Sequence, residues 1–200
     1  MQVETIITGA FETNTYILTI DGEHLIIDPS GKKERIITHI DGQVDAILLT
    51  HGHFDHIKAV DDLHEYYGCP IYMNASDADL VDPLLSKTTN TMGPFSASIS
   101  SKIDFIKEGT MKIGPFSFEV VFTPGHTKGS VIYIFDDMVF TGDTLFKESV
   151  GRTDLYGGSD RELKMSLRIL KELDADYLIY PGHGPSSKVE HELLYNPFLK

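Results

Sequence analysis

The 200-residue chain contains one cysteine, Cys69, and no tryptophan. A single thiol forbids an intramolecular disulfide and rules out the Cys-rich closed zinc sites that need several thiolates. Cys69 stands between Gly68 and Pro70, ahead of the apolar Ile71-Tyr72-Met73, a context that predicts a small buried thiol rather than a nucleophile. Positive charge is also scarce. Seventeen Lys+Arg against 30 Asp+Glu give a formal net charge of -13 and a sequence pI near 5.0. That balance repels a phosphate backbone and excludes nucleic acid as a main partner. No apolar run approaches the ~18–20 residues of a membrane helix, so no membrane partner is expected. No Lys or Arg precedes Lys32, so the basic start of a secretory signal is missing and the expected compartment is the cytoplasm.

What is present is the composition of one sizeable domain spanning residues 1–200, with 41% hydrophobic residues to build a core. Short β-branched runs at 3–7, 16–20 and 24–27 read as strands, and Asp21-Gly22 between the last two is a hairpin signal. Residues 44–49 form an almost unbroken apolar run, the pattern of a strand covered on both faces. Helices are expected at 32–40 and 55–67, the latter stopping at Gly68, followed by a strand at 71–73. Residues 84–101, rich in Ser, Thr, Gly and Pro, read as a long loop or lid. The second half gives strands at 116–122, 130–135, 138–141 and 177–180. It also gives helices at 159–173, where Ser159 and Glu162 fit a capping pair, and at 187–195. Strand-rich halves each followed by helices suggest two sheets packed face to face with helices outside.

The chemistry concentrates in Thr50-His51-Gly52-His53-Phe54-Asp55-His56, directly after the 44–49 run. Imidazole and carboxylate are ligands of borderline and hard divalent metals, and packing gives no reason to gather four of them in six residues. Three more donors stand beside glycines just after other apolar strands: His126 in Pro124-Gly125-His126, Asp143 in Gly142-Asp143-Thr144 and His183 in Pro181-Gly182-His183-Gly184. Strand ends of this kind gather functional residues on one sheet edge. Five histidines and two aspartates exceed the need of one four-ligand site. Two ions about 3.5–4 Å apart, sharing a carboxylate, would use all seven. His24, His39, His64 and His191 match no such context and are expected at the surface or half-buried; Tyr156 reads as a loop anchor and Lys147 as a solvated lysine.

The Thr-His-Gly-His-Phe-Asp-His run, with His126, Asp143 and His183 in order behind it, resembles the metallo-β-lactamase fold signature. Gly142-Asp143-Thr144-Leu145-Phe146 followed by Gly151-Arg152-Thr153-Asp154 is similar to the small glyoxalase II-like (hydroxyacylglutathione hydrolase-like) branch. The resemblance implies an αββα four-layer sandwich of class α/β with two mixed sheets. It implies that His51, His53 and His126 hold a first metal, that Asp55, His56 and His183 hold a second, and that Asp143 bridges them. The metals would be two divalent ions, zinc first, with iron or manganese as alternatives. A water shared by the ions, with its pKa lowered from 15.7 towards about 7, would attack the carbonyl of a small thioester, and Asp55 would orient it or take its proton.

Arg152 is the candidate substrate contact, set against a structural ion pair with Asp154. Full-length glyoxalase II enzymes tend to carry a Lys-Phe-Tyr arrangement where this chain has Arg152-Thr153-Asp154, and a C-terminal helical segment that has no counterpart before Lys200. The thiol carrier is therefore left open. Two other functions fit the same residues: a mononuclear iron persulfide dioxygenase using His51, His126 and Asp143, and another hydrolase of the fold such as a lactonase. A protein that keeps the metal only for binding or regulation would usually have lost some of these donors, and none is missing.

Overall fold

Apolar runs without alternation predict strands buried on both faces, and the computed structural model, which describes residues 1–200, is organised around them. One six-stranded sheet runs Gln2–Thr8, Thr13–Ile20, Glu23–Ile27, Gln43–Leu48, Ile71–Met73 and Ile103–Phe105 in spatial order. Its first two pairings are antiparallel and the next three parallel. The second runs Ser187–Lys188, Leu178–Pro181, Met138–Gly142, Val131–Phe135, Phe116–Phe122 and Gly109–Ile113. There only the Met138–Gly142 and Leu178–Pro181 strands pair in parallel.

The period of two along each strand decides which side chains meet. Leu18, Leu25, Ile27, Ala46 and Leu48 turn inward against Phe116, Phe118, Val120, Tyr133 and Phe140 of the other sheet. Their neighbours Ile17, Ile26 and Ile47 turn outward against Ile36, Val60 and Leu63 from the helices Lys33–Ile37 and Val60–Tyr67. On the far side, Ile132, Val139 and Ile179 pack against Leu163, Leu167 and Leu170 of the helix Asp160–Lys171 and Val189 of Val189–Tyr195. Burying each Leu, Ile, Val or Phe side chain contributes roughly 1.5–3 kcal/mol. The result is helix, sheet, sheet, helix: the expected αββα sandwich with two mixed sheets. No helix is long and apolar enough to cross a membrane.

Local signals act as expected at several points. Asp21 and Gly22 both have positive φ (50° and 85°), as the tight hairpin requires. Ser159 Oγ accepts from the Glu162 N–H at 3.3 Å and starts the Asp160–Lys171 helix. Cys69 is buried, and burial pushes its thiol up to about 11.

Some expectations need correction. The helix expected from residue 55 begins at Val60, because residues 54–59 are turns. Residues 84–101 are not one loop: they hold the short helix Ser86–Thr89 and a hairpin of Thr91–Met92 with Phe95–Ser96. His24 is buried, not at the surface, with Nδ1 2.9 Å from Thr19 Oγ1.

Candidate metal centre

All four candidate segments follow strands, and the strand ends meet at one edge of the sandwich. The His51–His56 loop leaves Gln43–Leu48, His126 follows Phe116–Phe122, Asp143 follows Met138–Gly142, and His183 follows Leu178–Pro181. Parallel pairing of the last two strands sets Asp143 and His183 side by side. Glycine is required where the loops press together. Gly142 has φ 49°, and a Cβ there would strike Thr50; a Cβ on Gly182 would strike Asp143 Oδ1.

Seven side chains converge in two halves. In the first, donor atoms of His51, His53 and His126 lie within 4.8 Å of one another, and His53 Nδ1 is 2.8 Å from His126 Nε2. In the second, His183 Nε2 lies 3.3 Å from both His56 Nε2 and Asp55 Oδ2. Asp143 lies between them: Oδ2 is 3.3 Å from His126 Nε2 and 3.6 Å from His183 Nε2, and Oδ1 is 3.4 Å from His56 Nε2. Four ligands about 2.0–2.1 Å from a tetrahedral zinc would stand about 3.3 Å apart, close to the 3.3–3.6 Å separations around Asp143.

The outward-facing ring nitrogens show what the inward atoms present. His126 Nδ1 donates to the Arg152 carbonyl (2.7 Å) and His183 Nδ1 to the Phe11 carbonyl (3.0 Å). His56 Nδ1 donates to Asp28 Oδ2 (2.9 Å). Thr50 Oγ1 donates to Asp28 Oδ2 (2.6 Å), so it accepts from His51 Nδ1 (3.0 Å). A neutral ring with its proton committed outward offers a bare lone pair inward. The Nε2 atoms of His56, His126 and His183 thus point lone pairs at the carboxylates of Asp55 and Asp143. His51 Nε2 and Asp143 Oδ1 are buried with no hydrogen-bond partner. Acceptors packed against acceptors repel unless a cation lies among them. The residues fit a divalent metal.

Charge follows the same division. Burial, reinforced by His56, holds His51 well below the usual histidine range, and burial with His126 takes His53 to about 3. Burial also opposes charge on His56 and His183, but the carboxylates of Asp143 and Asp55 outweigh it and raise both. Burial would raise Asp143 and Asp55, yet the histidines around them hold both below the usual carboxylate value.

Three residues essential to this geometry escaped the sequence reading. Asp28, 1% exposed, anchors His51 through Thr50 and His56 directly, and accepts the Thr50 N–H at 2.8 Å. Asp77 ties the two main ligand loops together: it accepts from the Gly52 N–H (2.9 Å), Thr127 Oγ1 (2.7 Å) and the Gly129 N–H (2.6 Å). Asn90, from the segment read as a lid, accepts the Phe54 N–H (2.8 Å) and donates to the Gly52 carbonyl (2.8 Å). Asp28 ends an apolar strand ahead of Pro29, which was a usable signal; Asp77 and Asn90 gave none. Arg152 does not join the seven. Its guanidinium pairs with Asp154 in two hydrogen bonds of 2.6 and 2.8 Å at the surface, while its carbonyl holds His126.

Comparison with known proteins agrees with this architecture. Residues 8–183 match the metallo-beta-lactamase superfamily. The chain belongs to that superfamily. It is 38% identical to the probable metallo-hydrolase YqgX of Bacillus subtilis (96% of this chain, 94% of the relative). It is 35% identical to the hydroxyacylglutathione hydrolase GloC of Haemophilus influenzae (100% and 98%). Among solved structures, the BLEG-1 B3 metallo-beta-lactamase superposes with a TM-score of 0.91 at 36% identity over all of both chains. TTHA1623 in a di-iron-bound form gives 0.88 at 32%, over 98% of this chain and all of that one.

Proposed function

We propose that this chain is a metal-dependent hydrolase of small acyl-thioesters holding two divalent ions, zinc first and iron or manganese as alternatives. The observation that carries the reading is Asp143, whose two oxygens stand 3.3–3.6 Å from ring nitrogens of both halves. His51, His53 and His126 would hold one ion and Asp55, His56 and His183 the other, with Asp143 placed to serve both. When bound, such a pair supplies Lewis acidity that lowers the pKa of water from 15.7 towards about 7 and polarises a carbonyl.

The chain's own residues do the rest. Asp55, partly exposed and steadied by Thr13 Oγ1 at 3.4 Å, orients the attacking water and takes its proton. The Asp28 carboxylate fixes the tautomers of His51 and His56. Phe11, which holds His183 through its carbonyl, packs edge-on against Phe54 and Phe95 at 5.1 and 5.2 Å and limits water beside the open half. A thiolate leaves with little protonation, so no separate general acid is needed.

The relative named hydroxyacylglutathione hydrolase is matched over 98% of its length, which supports a thioester substrate without any additional segment. A β-lactam is the second reading, supported by the 36% identity to BLEG-1 across the whole chain. A persulfide dioxygenase would leave Asp55, His56 and His183 without a role. The test is metal-replete protein assayed against S-lactoylglutathione, other small thioesters, a chromogenic cephalosporin and a persulfide with oxygen uptake. Thioester hydrolysis with two metals per chain is expected. Turnover of the cephalosporin alone would move the assignment to the second reading. One iron per chain with persulfide-dependent oxygen uptake would overturn hydrolysis altogether.

A further inference from the structure

A groove of about 800 Å³ does not open on the seven converging residues. It lies along the helix Asp160–Lys171 and is lined by five cations, Arg152, Lys164, Arg168, Lys171 and Lys200, against one carboxylate, Asp160. In a chain of net charge -13 this is a marked concentration. Asp160 is already engaged by Thr153 Oγ1, and Arg152 by Asp154. The only Lys or Arg ion pairs in the structure are Lys102–Asp104 and Arg152–Asp154, so the other four cations of the groove have none. Lys164, Arg168 and Lys171 follow at i, i+4 and i+7 on one helix face, where like charges repel when nothing lies between them. The floor is apolar: Leu163 and Leu167 are buried, and Phe198, 55% exposed, is an uncovered ring at the rim.

We propose that this groove binds a small ligand carrying two phosphate groups and an aromatic ring. Cations about 6 Å apart along the helix suit separate phosphates better than one carboxylate, and the Phe198 ring offers a stacking face. The volume is that of a small-molecule site. The acidity of the rest of the surface disfavours a nucleic-acid chain. The groove starts at Arg152, whose carbonyl holds His126, and runs about 17 Å down the helix. The ligand could therefore be the tail of a phosphorylated thiol that carries the acyl group, or a free nucleotide; the first source rests on the thioester reading and the second does not.

The probe is adenosine 3′,5′-bisphosphate, titrated calorimetrically into the metal-replete protein, so the readout does not depend on turnover. Saturable binding at one site per chain is expected, weakening steeply with salt. The double variant Lys164→Gln/Arg168→Gln should weaken it by about tenfold or more, with metal content and thermal melt unchanged. No saturable binding would overturn the proposal, and so would equal affinity in the double variant, which would place the phosphates at the metal centre. Within a positive result, a raised KM for a phosphorylated-thiol ester but not for S-lactoylglutathione marks the substrate tail. An unchanged KM for both marks a free nucleotide.

Discussion

The two halves of the candidate metal centre differ in side-chain chemistry and in depth, three histidines in one and two histidines with Asp55 in the other. His51, His53 and His126 are 1%, 5% and 3% exposed. Across Asp143, the side chains of Asp55 and His183 are 14% and 25% exposed, although His56 is fully buried. The deep half is a buried cage in which burial lowers His51 and His53. The shallow half is shaped by carboxylates, which raise its histidines, and it faces the solvent. A divalent ion in the buried half would be shielded from solvent, and one in the half with the partly exposed Asp55 and His183 would meet water and substrate. Loaded with two ions, the centre would thus combine a holding position with a working position.

The comparison can be broken at the residue that joins the halves. Asp143→Ala should lower turnover by at least about 100-fold, more than loss of an outer partner does, and reduce bound metal below two per chain by elemental analysis. Two retained ions with near-normal turnover would show that the halves do not share Asp143. His183→Ala should empty only the shallow half: one ion per chain, held by the deep half, with turnover lost. Asp28→Asn reaches both halves, through Thr50 to His51 and directly to His56. Metal affinity should fall about 10–100-fold in a competitive chelator titration, and loss from one half alone would contradict the shared anchor.

The smallest effect is on pH dependence, and its sign follows from the shifts. His183 and His56 are raised above 6.5, so protons begin to compete with metal in the shallow half above that pH. His53 lies near 3, so the deep half keeps its ion until far lower pH. Cobalt-loaded protein taken from pH 8 towards 5 should lose the visible absorption of one site before the other. Simultaneous loss would mean that depth does not separate the halves.

The same division between core and connection explains what was legible in the sequence. Residues 44–49 announced themselves as a strand by an almost unbroken apolar run, and 116–122 by large apolar residues alternating with the exposed Ser117 and Glu119. Ile103–Phe105 and Gly109–Ile113 did not, because they lie at the sheet edges, half-exposed, with Asp104, Thr110 and Lys112 among few large apolar residues. The 55–67 periodicity overstated the helix, since residues 54–59 must turn for Asp55 and His56 to meet His183. The seven donors were readable because His51, His53, His126, Asp143 and His183 stand beside glycines after strands, and Asp55 and His56 complete the same short run. Asp77 and Asn90 were not, because each is a lone polar residue whose partners in the ligand loops lie 25 to 52 positions away.

We propose that the seven residues form one acceptor set for two ions with Asp143 between them. Anomalous diffraction from crystals of metal-loaded protein, recorded at the metal's absorption edge, tests it directly. Two peaks about 3.5–4 Å apart are expected on either side of Asp143, one against His51, His53 and His126 and the other against Asp55, His56 and His183. A single peak at full metal loading, or a second one away from Asp55 and His183, would contradict it.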